Sequence, residues 1–151
     1  MTITHSHTRP STRLRRLFKA LHGAGEVLIV PHNNPDPDSI AASVAMSYLI
    51  EESLTIPALI GYRGIVGRAE NRAITRYLGH PLQSLKIGML RDASHIILVD
   101  TQPKFGNNPT IPSDKVAVVI DHHQPIDNEP IQGAYVDVRP EIGAASTMLV
   151  D

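Results

Sequence analysis

Three apolar, β-branched runs, each closed by acidic or histidine groups, constrain this chain most. Val27-Leu28-Ile29-Val30 leads into His32, Asp36 and Asp38, Ile96-Ile97-Leu98-Val99 ends on Asp100, and Val116-Ala117-Val118-Val119-Ile120 runs into Asp121-His122-His123. Continuous runs of this kind read as strands buried on both faces, the pattern of a parallel sheet. Helical patterns alternate with them, which predicts an α/β fold: a doubly wound, mainly parallel sheet with helices on both faces. Ligands in such sheets bind beyond the carboxyl ends of the strands. Three strands would therefore deliver oxygen and imidazole groups to one place.

Between the runs, Leu14, Leu17, Phe18 and Leu21 mark an amphipathic helix, with Ser11 or Thr12 to cap it and Gly23-Ala24-Gly25 to end it. A second helix is expected from about Ser39 to Glu52, small-faced at Ala41, Ala42, Ser43 and Ala45, and a third from Arg68 to Leu78. Short strands are expected at Pro57–Ile60 and Ala134–Val138, and a surface loop at Pro103–Ser113. A last helix opens near Ile142–Ala144 and is still running at Asp151, as it would in a piece of a longer protein.

At 151 residues the chain suits one domain with a proper core. A net charge of −1 argues against a large nucleic-acid footprint, though not against a small phosphorylated substrate. The absence of cysteine excludes disulfide scaffolds and thiolate zinc sites. No apolar run has membrane-spanning length and the N-terminus has no signal-peptide core, so a cytoplasmic protein with no membrane partner is the expectation. Residues 1–11, with His5 and His7, read as a disordered polar tail.

Each cluster has a bland reading beside a chemical one. Asp38, one residue before the expected helix, could be an N-cap or a ligand. Asp100 could be a polar strand terminus or a ligand, and Asp121-His122-His123 at the mouth of a buried strand has no obvious core role, a satisfied surface histidine pair being its alternative reading. Together the groups are carboxylate and imidazole without sulfur, which favours Mn²⁺ or Mg²⁺, with Zn²⁺, Fe²⁺ or Co²⁺ also compatible. Several carboxylates can hold two cations, with Asp100 as bridge, and such a pair clamps a phosphoryl group and activates water for in-line attack.

The residues at this point resemble a known family. His32-Asn33-Asn34-Pro35-Asp36-Pro37-Asp38-Ser39-Ile40-Ala41-Ala42-Ser43 is similar to the first motif of the DHH phosphoesterase superfamily. Val99-Asp100-Thr101 resembles the second, Asp121-His122-His123 is the signature that names the family, and Gly143-Ala144-Ala145-Ser146-Thr147 resembles the small-residue stretch that follows. The resemblance implies a two-manganese centre in an N-terminal catalytic domain at residues 12–151: His32 and Asp36 on one metal, Asp38 and His122 on the other, Asp100 bridging. His123 would face the substrate phosphate and Asp121 would support the site. It also implies a further aspartate and a substrate-binding domain beyond Asp151, so the domain is expected to be incomplete at its C-terminus.

Arg68, Arg72 and Arg76 recur every four residues on one helix face, after the Gly-rich loop Gly61–Gly67. Like charges at that spacing repel by a few tenths of a kcal/mol, which suits an anionic partner, with Asn71 a further candidate; a solvated face is the alternative. Ser146 and Thr147 could aim backbone N–H groups at phosphate, or simply permit close packing. The reading is a metal-dependent phosphoesterase of the RecJ-like, oligoribonuclease and nucleotide-phosphatase branch. Its substrate would be a short single-stranded oligonucleotide or a small nucleotide such as 3′-phosphoadenosine 5′-phosphate, and a homodimer is compatible. The alternatives are a manganese-dependent inorganic pyrophosphatase and a catalytically silent metal- or phosphate-binding module.

Overall fold

The three apolar runs form the centre of the sheet. β1 (Val27–Pro31), β4 (His95–Val99) and β5 (Val116–Asp121) are flanked by β2 (Ala58–Tyr62), β3 (Leu82–Ser84) and β6 (Tyr135–Val138), giving six strands in the order β3-β2-β1-β4-β5-β6. Every neighbouring pair is parallel. The structure is a computed structural model and describes residues 11–150. The tail expected at residues 1–11, His5 and His7 included, lies outside the described residues except for Ser11.

Alternate side chains of the central strands fill two cores. Val27, Ile29, Ile97 and Val99 pack with Leu17 and Leu21, with Ala42, Met46 and Ile50, and with Ala145 and Met148. They thereby join the sheet to α1 (Thr12–Ala20), α2 (Pro37–Leu54) and α5 (Ala145–Met148). Leu28, Val30, Ile96 and Leu98 face the other way, against Met89 and Leu90 of α4 (Ile87–Asp92) and the loop residues Ile111 and Ile131. α3 (Ala69–Tyr77) packs on α2. Each fully buried aliphatic side chain here is worth about 1.5–3 kcal/mol relative to exposure. Among the described residues no helix is long and apolar enough to cross a membrane.

Three local expectations change. β3 and α4 occupy a stretch in which the sequence marks no element. α5 is four residues long, from Ala145 to Met148 with Leu149 as its C-cap, rather than still running at Asp151. The second helix begins at Pro37, so its N-cap is Asp36 and not Asp38: the Asp36 carboxylate accepts from Ser39 N at 2.9 Å, and Ser39 Oγ accepts from Asp36 N at 3.0 Å. Proline at the first helical position needs no donor, which moves the start two residues earlier.

The strand order places the reversal of winding between β1 and β4, because the chain builds outward from β1 to β2 and β3 and then returns to add β4, β5 and β6 on the other side. A crevice opens above the carboxyl ends of strands at such a point. His32 follows β1 and Asp100 follows β4, so both enter it.

Candidate metal centre

Two ligand groups meet on one carboxylate. The side-chain donor atoms of His32, Asp36 and Asp100 lie within 4.8 Å of one another, and so do those of Asp100, His122 and His123. His32 Nε2 stands 3.6 Å from Asp36 Oδ1 and 3.6 Å from Asp100 Oδ2. His122 Nε2 stands 3.3 Å from Asp100 Oδ1 and 3.8 Å from Asp38 Oδ2. These side chains, with Asn107, Gly143 and Ala144, line a cavity of about 440 Å³.

Backbone partners orient the imidazoles. His32 Nδ1 is 2.8 Å from Asn33 O and His122 Nδ1 is 3.2 Å from Ile142 O, contacts that only an Nδ1–H can make favourably. Those contacts leave each Nε2 facing carboxylate oxygens, the nitrogen that a metal would take. Asp100 Oδ1 is buried and has no hydrogen-bond partner. A sealed carboxylate oxygen without a hydrogen bond, among further carboxylates and imidazole nitrogens, calls for positive charge, so the residues fit a divalent metal.

The charges tell the same story. Burial, and then the neighbouring Asp38 and Asp36, push the Asp100 carboxyl up to about 6, more than His32 and His123 pull it down. Asp100 also adopts φ +59°, a left-handed conformation uncommon outside glycine and often held at functional sites. Asp38 behaves oppositely: burial raises its pKa, but hydrogen bonds from Ser146 and Ala145 outweigh that and leave it below the ordinary value. Its oxygens accept from Ala145 N at 2.7 Å and Ser146 N at 2.9 Å, so a residue in the first turn of α2 caps α5.

Behind the cluster, Asp121 is fully buried and accepts three hydrogen bonds: His123 Nδ1 at 2.8 Å, His122 N at 2.9 Å and Gln102 Nε2 at 2.7 Å. With Nδ1 committed to Asp121, His123 has Nε2 left for other partners. Burial lowers the His123 pKa, but Asp121, through its hydrogen bond and charge, and then Asp100 and Asp36 raise it further, and the net value lies above that of an ordinary histidine.

The remaining expected site residues are not among the converging groups. The N–H of Ser146 at the α5 start serves Asp38, while Thr147 is exposed one residue on. Asn71 is buried and donates from Nδ2 to Pro35 O at 2.9 Å, so it braces the loop between His32 and Asp36. Arg68 is the N-cap residue of α3. Arg72 donates to Gly67 O and, with Arg76, Tyr62 and His80, lines a separate depression of about 210 Å³. Sequence reading missed Gln102, which also donates to His123 O at 3.1 Å, and Asn107, whose O accepts from Asn33 N at 2.5 Å. Their only signal was polarity just after a strand-end aspartate.

Residues 26–151 match the DHH family, N-terminal domain. Over 123 residues the chain is 34% identical to an uncharacterised protein of Methanocaldococcus jannaschii, covering 82% of this chain and 24% of that protein. Over 124 residues it is 26% identical to a protein of Streptococcus equi subsp. zooepidemicus named a probable manganese-dependent inorganic pyrophosphatase, covering 82% of this chain and 40% of that one. The chain thus spans 24% and 40% of the length of these two relatives. Its fold resembles that of an exopolyphosphatase-related protein from Bacteroides fragilis, with a TM-score of 0.55 at 15% identity over 89% of this chain and 42% of that chain. The family match takes in β1, β4 and β5 together with every acidic and histidine group at their ends, and the chain belongs to the DHH family.

Proposed function

We propose that this chain is the catalytic N-terminal domain of a metal-dependent phosphohydrolase that acts on small phosphorylated nucleotides or short oligonucleotides. The observation that carries the reading is Asp100, shared by two ligand groups, with a buried Oδ1 that no hydrogen bond satisfies. His32 and Asp36 would hold one Mn²⁺, Asp38 and His122 the other, and Asp100 both, with Mg²⁺ or Co²⁺ as substitutes. Bound there, such cations supply positive charge to a phosphoryl group and acidify water. The name of the streptococcal relative supports manganese as the metal.

The chain's own residues have separable tasks in this reading. Asp121 holds His123 by Nδ1 and raises its proton affinity, so the imidazolium can protonate the leaving oxygen from Nε2. Gln102 keeps the Asp121 carboxylate turned toward His123. Asn71 fixes the metal-binding loop through Pro35 O, while Arg68, and Arg72 from its separate depression, would offer positive charge to a phosphate further along the substrate. Ser146 acts by holding Asp38, and the Thr147 hydroxyl is left to meet phosphate.

Inorganic pyrophosphate is the second reading, favoured by the name of the streptococcal relative. The test is hydrolysis by the longest natural form with Mn²⁺, on a di- to pentanucleotide, 3′-phosphoadenosine 5′-phosphate and pyrophosphate. Turnover of the nucleotides, lost in Asp100→Ala, supports the proposal, and turnover of pyrophosphate alone promotes the second reading. No turnover of any substrate, alongside saturable Mn²⁺ binding by the chain, would leave a metal-binding module.

A further inference from the structure

Beside the metal-ligand cluster lies a second cavity that the proposed chemistry does not use. It measures about 240 Å³ and is walled by the loop after β4 (Gln102, Pro103, Phe105) and the loop after β5 (Pro125, Ile126, Ile131). Phe105 is one of two phenylalanines in a chain without tryptophan, and its ring meets His123 edge to face at a centroid distance of 6.1 Å. Gln102 donates to both Asp121 and the His123 carbonyl, so the inner wall of this cavity is the support of the candidate proton donor. Ile126 leaves 65% of its surface exposed at the lip.

We propose that this cavity receives the nucleobase of the substrate, so that the ring packs against Phe105 and Ile126 while its phosphate lies on the metal-ligand cluster across His123. The proposal rests on the phosphohydrolase reading and names the part of the substrate that gives specificity. Pockets that enclose drug-sized ligands span roughly 300–1,000 Å³, so this smaller cavity suits a single ring system. The charge at the rim selects against the alternative occupant. Lys104 is bonded to Asp127 at 2.9 Å and to Glu129 at 2.5 Å, which leaves one cation against two carboxylates. A second phosphate or a polyphosphate tail entering here is repelled, whereas an uncharged planar base is not. An aromatic face, apolar walls and the amide of Gln132 match a base that stacks and makes a hydrogen bond at its edge.

Binding tests this without turnover. Calorimetry on the chain with Mn²⁺ compares adenosine 5′-monophosphate with inorganic phosphate. The expected result is a margin of about tenfold in favour of the nucleotide, the scale of a single base–aromatic contact. Ile126→Trp, which fills the cavity from an exposed position, and Phe105→Ala, which removes the stacking face, should each erase the margin and leave phosphate affinity unchanged. Equal binding of the two probes by the wild type, or a margin that survives both variants, overturns the nucleobase assignment alone. No binding of either probe by a chain that does bind Mn²⁺ overturns the phosphohydrolase reading, and this assignment with it.

Discussion

Asp100 sits at φ +59° with Oδ1 sealed from solvent and unbonded, and its carboxyl titrates at about 6 against an ordinary 3.8. The folded state therefore holds a proton that the unfolded chain has already released. The stabilisation from that proton is complete below 3.8 and is gone once pH has risen through about 6. At pH 7 the metal-free fold carries a buried charge it does not satisfy. Asp100→Asn removes that charge, and asparagine tolerates the left-handed backbone as aspartate does. In thermal melts with chelator at pH 7 the variant should be about 1–2 kcal/mol more stable than the wild type, while its Mn²⁺ affinity falls by more than the ~10–100-fold typical of outer-sphere partners. A destabilised variant would refute this account. The same proton opposes metal binding, so Mn²⁺ should raise the melting temperature far more at pH 7 than at pH 5. An equal increment at both pH values would remove Asp100 from the ligand set.

Between elements, the loop that carries His32 and Asp36 is clasped by the loop after β2. Asn34 N donates to Arg63 O at 2.9 Å, and Asn34 Oδ1 accepts from Ile65 N at 2.9 Å. Gly64 makes the approach possible: at φ +93° it has a conformation side chains rarely adopt, and a Cβ there would meet Asn34 Oδ1 at 2.3 Å. Gly64→Ala should cost about 2 kcal/mol of metal-free stability and weaken Mn²⁺ about tenfold, because the displaced loop holds two ligands. A melt and a Mn²⁺ titration check both, and an unchanged affinity would uncouple the clasp from the site. In the sequence Gly61–Gly67 is legible as a flexible loop, but its partner at Asn34, 30 residues earlier, carries no local signal. β3 and α4 were illegible for a related reason. β3 is three residues paired only along β2, and α4 is six residues that open on an 86% exposed Ile87, both too short for a hydrophobic period to register.

On the scale of the whole molecule, β1, β4 and β5 were readable because each is buried on both faces and therefore apolar without alternation. The acidic and histidine groups were readable because polarity at the ends of such strands stands out. What the pattern lacked was everything set by tertiary contact: which nitrogen of each histidine is free, which aspartate caps which helix, and the bonds of Gln102 behind Asp121. The cluster joins the ends of three adjacent central strands with the starts of α2 and α5, so occupancy should stabilise the fold as one cooperative unit. At a free Mn²⁺ concentration a hundredfold above its Kd, the gain should be about 2.7 kcal/mol for each ion bound. Because the ligands already converge within a preformed cavity, binding should bury little new surface. In urea titrations the midpoint should therefore move up with Mn²⁺ while the m-value stays constant. A larger m-value with metal would mean that part of the site, the β1–α2 loop first, folds only on the ion. An unmoved midpoint at saturating Mn²⁺ would mean that the converging carboxylates and imidazoles hold no cation in the native state.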